Sequence, residues 1–385
     1  MVQATVIPQH NEIEPRYTWN APSVFPTVAA WEAEFDAVAA AVPGLAVFQG
    51  RLAEGPATVS AALEVMQSLA RRVGILATYA GMDYAVDTQN QAAAKRYGRV
   101  QGLHGQFAAA AAFIGPELLA VGEATVRGWL AAEPSLAYAA HYVDDLFRKQ
   151  AHMRSAEVEE LLGSLAVPFA NIETTASMLT DADFKFPDAV GVGGSAQPVT
   201  QGTLPKVLAG SDREARRTAW EGYMDTFLAY KNTLAANLLT SVKYNVFTMR
   251  ARRHTSTLEM ALAEHSIPAA VFQNLIATFR QNLPTWQRYW RVRRKALGVE
   301  TLQPYDLWAP LTGSRPTISY EQAVAHICRG LAPMGDEYVA TVRRGCLEER
   351  WVDAMPCQGK AGGAFSSGSP GTHPFIMMSY TGEVF

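Results

Sequence analysis

Eight histidines are the side chains best suited to hold a metal in this chain: His10, His104, His141, His152, His254, His265, His326 and His373. A helix carrying H-E-x-x-H would set two imidazoles on one face, with the glutamate beside them as general base. None of the eight is followed by Glu, and no two stand four apart. His141 with Asp144 and Asp145 has helical ligand spacing, but Asp-rich helix faces are ordinarily solvated, so a surface or helix-end role is expected. Nucleophile patterns are missing as well: there is no G-x-S-x-G, and Cys328, Cys346 and Cys357 form no C-x-x-C pair. Three cysteines cannot all pair and read as free thiols of a reducing compartment. Gly191-Val192-Gly193-Gly194 departs from G-x-G-x-x-G and does not run directly into a helix, which argues against a phosphate cradle. Arg250, Arg252, Arg253 and His254, and the run Arg291, Arg293, Arg294 and Lys295, are expected to be helix-terminal charges that complement the dipole. What remains is a Gly- and Ser-rich stretch. Gly362-Gly363-Ala364-Phe365-Ser366 could offer an extended backbone edge to a peptide, because small residues allow close approach; the plain alternative is a surface loop.

These candidates sit in a chain of 385 residues, enough for two or three domains. Hydrophobic residues make up 49% and charged residues 18%, which supports a packed core and excludes global disorder. The 33 basic and 36 acidic residues give 33 − 36 = −3, a balance that argues against a dedicated nucleic-acid binder. Met1 to Glu14 lacks a charged-then-apolar leader pattern. The most apolar run, Phe107 to Ile114, is stopped by Gly115-Pro116, well short of the ~20 residues a membrane span needs. A cytoplasmic protein, off the membrane, is the expectation.

Apolar residues recurring at three and four predict a mainly α protein. Trp31, Phe35 and Val38 begin one stripe; Leu63, Met66, Leu69, Val73, Leu76 and Tyr79 form a second. Helices are predicted over Gln89–Phe113 and Pro116–Ala132, and after Ser155, with Glu157, Glu159 and Glu160 in the first turn. Between Asp181 and Gly210 the chain turns rich in Gly, Pro and Asp around Phe184, Phe186, Val190, Val192 and Val199, which fits a short hairpin and a domain boundary. Ser211 and Glu214 have capping-box spacing before a long helix reaching Phe247, and Ser319 and Gln322 repeat it before Val324, Ile327 and Leu331. A helix from Pro268 is expected to bend at Pro284. The predicted division is 1–110 and 111–200 as helical domains, and 201–385 as the start of a third.

Several short strings, in order, carry a resemblance. Ser211-Asp212-Arg213-Glu214-Ala215-Arg216-Arg217, Lys243-Tyr244 and Arg250-Ala251-Arg252-Arg253 resemble the helical start of the catalytic region of the oligoendopeptidase F family of zinc metallopeptidases. Tyr305-Asp306-Leu307-Trp308-Ala309-Pro310-Leu311 is similar to that family's Y-D-x-x-x-P-L, and Leu331-Ala332-Pro333-Met334-Gly335-Asp336-Glu337-Tyr338 to its L-x-P-L-G-x-E-Y. Arg350-Trp351-Val352-Asp353, Gly359-Lys360, Gly363-Ala364-Phe365-Ser366 and Thr372-His373-Pro374-Phe375-Ile376 follow in the family's order.

The resemblance implies a multi-helix oligopeptidase fold with a zincin-like catalytic domain, a small hairpin and a Gly-rich strand. It also implies cleavage of short peptides by one zinc ion held by H-E-x-x-H and a further glutamate. In relatives, the segment like Thr372 to Tyr380 runs shortly into the H-E-x-x-H helix, whereas these residues stop at Gly382-Glu383-Val384-Phe385. No catalytic residue and no metal ligand is therefore assigned, and a copy truncated before its zinc site, lacking the rest of the catalytic domain as partner, is the expectation. The alternative is a non-enzymatic helical peptide-binding protein derived from such a peptidase. By resemblance, Gly363, Ala364, Phe365 and Ser366 hold substrate backbone. His373 either approaches the same cleft or packs as a structural histidine near Pro374. For the 385 residues alone, no stoichiometric zinc and no peptidase activity are expected.

Overall fold

The computed structural model describes residues 8–380 apart from 156, 157, 159, 160, 163, 164, 202 and 313–316. The protein is mainly α, as predicted, and forms two compact units, Met1–Phe147 with Arg315–Phe385, and Arg148–Ser314. These packing units cut the chain at other places than the composition shifts near 110 and 200.

In the first unit, α1 (Val28–Ala41), α2 (Pro56–Val86) and α3 (Gln91–Ala111) form the main layer. The predicted stripes are its core: Trp31, Val38, Leu69, Val73, Leu76 and Tyr79 are all buried, and Trp31 Nε1–H donates to Leu76 O at 3.1 Å. Full burial of such side chains contributes about 1.5–3 kcal/mol each. Asn90 caps α3, its side chain accepting from the N–H groups of Ala92 and Ala93. The single helix predicted for Pro116–Ala132 is two, α4 (Ile114–Val121) and α5 (Glu123–Ala132), parted at Gly122, whose φ of +93° suits glycine. α6 (Ala140–Gln150) follows. Glu157, Glu159 and Glu160, with the helix start predicted there, lie outside the described residues.

The second unit contains α7 (Ala166–Ser177) and the predicted hairpin, in which β1 (Ala189–Val190) pairs antiparallel with β2 (Ala196–Gln197). After α8 (Leu204–Leu208) comes α9 (Arg213–Ala229), which Asp212 rather than Ser211 caps. Asp212 accepts from the N–H groups of Glu214 and Ala215 and also from Val192 in the hairpin, at 2.9 Å. A Cβ on Gly191 would lie 2.4 Å from that carboxylate, so the glycine is what lets turn and cap meet. The long helix predicted from Ser211 breaks at Tyr230, and α10 (Lys231–Ala251) continues. α11 (Thr257–Ala263), α12 (Ala269–Gln281) and α13 (Leu283–Leu297) complete the unit. Pro284 does not bend one helix. It stands in the first turn of α13, where its missing N–H has no intrahelical partner to lose.

A second departure concerns polarity. Arg293 is 6% exposed, not a surface helix-end charge: it donates to Asp306 O at 3.1 Å and to Ala309 O. Asp306 is fully buried and takes Arg213 at 2.8 Å and Arg216 at 3.2 Å. Burial pushes its carboxyl up, but hydrogen bonds from Arg213, the Gln303 N–H and Arg216 prevail and hold it below the usual range. The apolar stripes of α10, α12 and α13 are not core. Leu238, Val271, Leu275, Phe279 and Trp286 are exposed, and α13 carries a cleft lined by Trp286, Tyr289, Trp290 and Trp308.

The first unit resumes with α14 (Tyr320–Gly330), capped by Ser319 and Gln322 as predicted, and α15 (Asp336–Leu347). Three strands close it: β3 (Val352–Asp353), β4 (Phe365–Ser367) and β5 (Phe375–Met377), in the order β3-β5-β4.

Two measurements check this architecture. Replacing Asp306 by Asn leaves two guanidiniums short of their counter-charge and is expected to lower the unfolding free energy by about 3–5 kcal/mol, read by urea denaturation. The exposed α12 stripe is expected to drive concentration-dependent self-association in light scattering, which the double variant Leu275→Glu, Phe279→Glu reduces.

Candidate functional site

The residues singled out from sequence, Gly363, Ala364, Phe365, Ser366 and His373, belong to the three-stranded sheet and its connections. β5 is central: parallel to β3, with Val352 opposite Ile376, and antiparallel to β4, with Phe365 opposite Met377 and Ser367 opposite Phe375. Phe375 and Met377 are fully buried in the core of the first unit. Phe375–Met377 is thus the interior strand of this sheet. β4 is the edge. Among the described residues, nothing pairs with its outer side, and Phe365 and Ser366 are exposed. Gly363 has φ +80°, and both it and Gly362 have open space where a Cβ would stand. Backbone donors and acceptors of an edge strand are free to accept another extended chain.

The edge is anchored onto α2 and the loop after it. Thr88 donates from both N–H and Oγ1 to Gly359 O, each at 2.7 Å, and Ala361 N–H donates to Ala85 O at 2.8 Å. Ser369 Oγ lies 3.1 Å from Thr78 Oγ1 and so close to Gly74 that a Cβ there would stand 2.7 Å away. Thr372 Oγ1 accepts from the Ser369 N–H at 2.9 Å. Beneath β3, Lys360 Nζ pairs with Asp353 Oδ1 at 2.6 Å, both side chains 2% exposed. Asp353 Oδ2 also meets His10 Nε2 at 2.8 Å and accepts from the Trp19 N–H at 3.3 Å. Burial raises the Asp353 carboxyl, but His10 and Lys360 outweigh it and leave it below its ordinary value.

His373 is half-exposed and stacks on Trp351, with ring centroids 5.2 Å apart and planes at 27°. Its Nδ1 is 4.0 Å from Glu349. Trp351 in turn covers Gly345 of α15, where a Cβ would fall 2.2 Å from the indole. His141 is exposed, and Asp144 is paired with Arg127 at 2.6 Å, as a solvated helix face would be. Among the described residues, one group of three side chains could hold a metal, His152, His254 and Glu259. Spacing rules missed it, because His152 and His254 belong to distant parts of the chain.

The strings that carried the resemblance therefore meet in space: Arg213 and Arg216 on Asp306, Asp353 on Lys360, Trp351 on His373. The pattern of Peptidase family M3 matches residues 207–384, and that of Oligopeptidase F matches residues 117–186. The chain belongs to peptidase family M3, in its oligopeptidase F group. It is 33% identical to the oligopeptidase PepF of Bacillus subtilis over 99% of its own length and 57% of that protein's. Against the group B oligopeptidase PepB of Streptococcus agalactiae the identity is 30%, over 96% and 61%. The crystal structure of oligoendopeptidase-F from Enterococcus faecium matches with a TM-score of 0.64 and 27% identity, over 82% of this chain and 60% of that one. A structure from Chlamydophila abortus gives a TM-score of 0.83 at 26% identity, over 98% and 64%. The chain thus spans about three fifths of the length of these M3 relatives. None of its described helices is long and apolar enough alone to cross a membrane.

The Asp353 ion pair sets an acid limit. With its folded pKa depressed, its contribution is fully present above the unfolded value of about 3.9 and is lost as pH falls through the lower folded value. Asp353→Asn is expected to cost about 3–5 kcal/mol at neutral pH and to flatten stability against pH below about 4, measured by urea titrations across pH.

Proposed function

We propose that this chain forms the substrate-holding part of a zinc-dependent oligoendopeptidase acting on short peptides, with β4 as the strand to which substrate backbone pairs. The observation that carries the reading is the open edge of β4, in a chain of the oligopeptidase F group, built from the Gly363–Ser366 string that suggested it. A peptide laid along this edge would gain main-chain hydrogen bonds whatever its side chains, while Phe365 supplies an apolar contact. At Gly363 the approach is open, and a side chain there would be strained by the positive φ.

The zinc of such a peptidase needs donors that these residues do not supply in the family's arrangement: no H-E-x-x-H occurs in the 385 positions. No hydrolytic step is therefore derived for this chain. Its part is to bind and orient the peptide, and the rest of a catalytic domain is its natural partner. Cytoplasmic residence fits short-peptide substrates and the free thiols of Cys328, Cys346 and Cys357.

Isothermal titration with a mixture of short peptides tests the pairing. Binding is expected, together with a loss of roughly tenfold or more for the same peptides N-methylated at alternate backbone positions, and a similar loss in Gly363→Val. Equal affinity for methylated and unmethylated peptides, or no heat at high concentration, would overturn the reading. Cleavage of a quenched fluorescent peptide by the 385-residue chain alone is not expected.

A further inference from the structure

His152, His254 and Glu259 lie together in the second unit, far from the sheet that presents β4 in sequence and built on other elements. Their ligand atoms all fall within 4.8 Å of one another. The two imidazoles are stacked, with centroids 3.6 Å apart and planes at 14°. His152 Nδ1 is 3.1 Å from Arg252 O, and a carbonyl only accepts, so Nδ1–H is the donor there and Nε2 is the ring nitrogen left for a ligand. The His254 side chain is 6% exposed, yet its Nδ1 has no hydrogen-bond partner. That nitrogen points toward Glu259 Oε1, 3.8 Å away. A buried, unsatisfied imidazole nitrogen is costly unless something fills the gap.

Glu259 is set up for the same task. Its Oε2 accepts from Thr255 N–H at 2.6 Å and from Thr255 Oγ1, and the Ser256 hydroxyl caps its own N–H at 3.0 Å. These bonds fix the carboxylate and hold its pKa below the ordinary value, leaving Oε1 turned to His254. Burial, followed by the neighbouring His152, pushes the His254 imidazole below its ordinary value. Arg253, just before it, sits at φ +60°, a conformation a non-glycine residue holds only when its surroundings demand it. The nearby guanidiniums of Arg148 and Arg154 are engaged with Ala263 O and Ala251 O.

We infer that His152, His254 and Glu259 bind one first-row divalent metal ion of the zinc class. Two imidazoles and a carboxylate are the donor set such ions select, and a water can complete a tetrahedron. Bonds of about 2.0–2.2 Å require the three atoms to draw closer together, so His152 tilts out of its stack as the metal enters. The ion then ties the turn around His152 to the junction of α10 and α11 as a structural staple. The expectation of no stoichiometric zinc rested on the H-E-x-x-H arrangement alone, and this site revises it.

The test uses the full chain, freed of metal by chelator and titrated with Zn²⁺ against a chromophoric competitor. Co²⁺ is added in parallel to read coordination from its visible absorption. Wild type is expected to bind one equivalent at this site, to show the intense bands of four-coordinate cobalt, and to gain thermal stability as free metal rises. Glu259→Gln, which keeps an oxygen for Thr255, and His152→Ala are each expected to lose one equivalent, or to weaken binding beyond the roughly 10–100-fold that an outer-shell loss causes, and to abolish the thermal gain. Circular dichroism of the metal-free variants confirms their fold. Unchanged stoichiometry and affinity in a folded Glu259→Gln protein, or no binding by wild type, overturns the assignment. None of these readouts involves peptide binding or cleavage, so failure here leaves the peptidase reading standing, and the reverse.

Discussion

The carboxylate of Asp306, sealed from water between two guanidiniums, is the constraint on which the second unit is organised. A buried carboxylate is tolerable only when charge and hydrogen bonds replace its hydration. Arg213 and Arg216 supply the charge, Gln303 N–H adds a bond at 3.1 Å, and Arg293 secures the same turn through the Asp306 and Ala309 carbonyls. Arg216 also reaches back to Gly210 O and Ser211 O at 2.8 and 3.0 Å. One residue thereby fixes the start of α9, a turn of α13 and the Tyr305–Leu311 string. Asp212, one position before α9, extends the arrangement to the hairpin. Removing any of these charges would strand the others, so the set behaves as a unit.

The first unit has a counterpart in Asp353. Lys360 and His10 neutralise it beneath β3, and the consequence reaches the β4 edge. Lys360 is held against the Asp353 and Met355 carbonyls as well as the carboxylate, which fixes the chain just before Gly363. From there the strand can run free on its outer side while the buried β5 carries it. The edge is thereby held in place without being covered.

Much of this could be read in the sequence where local chemistry decides. The Ser319–Gln322 box, the stripes of α1 and α2, and the hairpin at Ala189–Gln197 follow from capping and periodicity that need no tertiary partner. Competition between neighbours was less readable. Ser211 and Asp212 are both good caps, and only the Val192 N–H, brought in by the hairpin, decides for Asp212. Tyr230 ends a helix without Gly or Pro, its ring against Phe184 at 5.0 Å. Arg293 looked like one more charge in a basic run until the turn around Asp306 closed over it. At the site, local composition left an extended edge and a surface loop both open for Gly363–Ser366, and the strand that forms is Phe365–Ser367. The His152–His254 pair was not legible, since about a hundred residues separate partners that touch only after folding.

The unpaired side of β4 has a selective consequence. Whatever chain docks there must arrive with its own amide and carbonyl groups unspent over several consecutive residues. A globular protein has already used those groups internally and would have to unravel locally before it could compete. In the proposed pairing, admission would be decided by the guest's conformational freedom rather than by its amino-acid identity, a filter imposed by arithmetic of donors and acceptors without any gate.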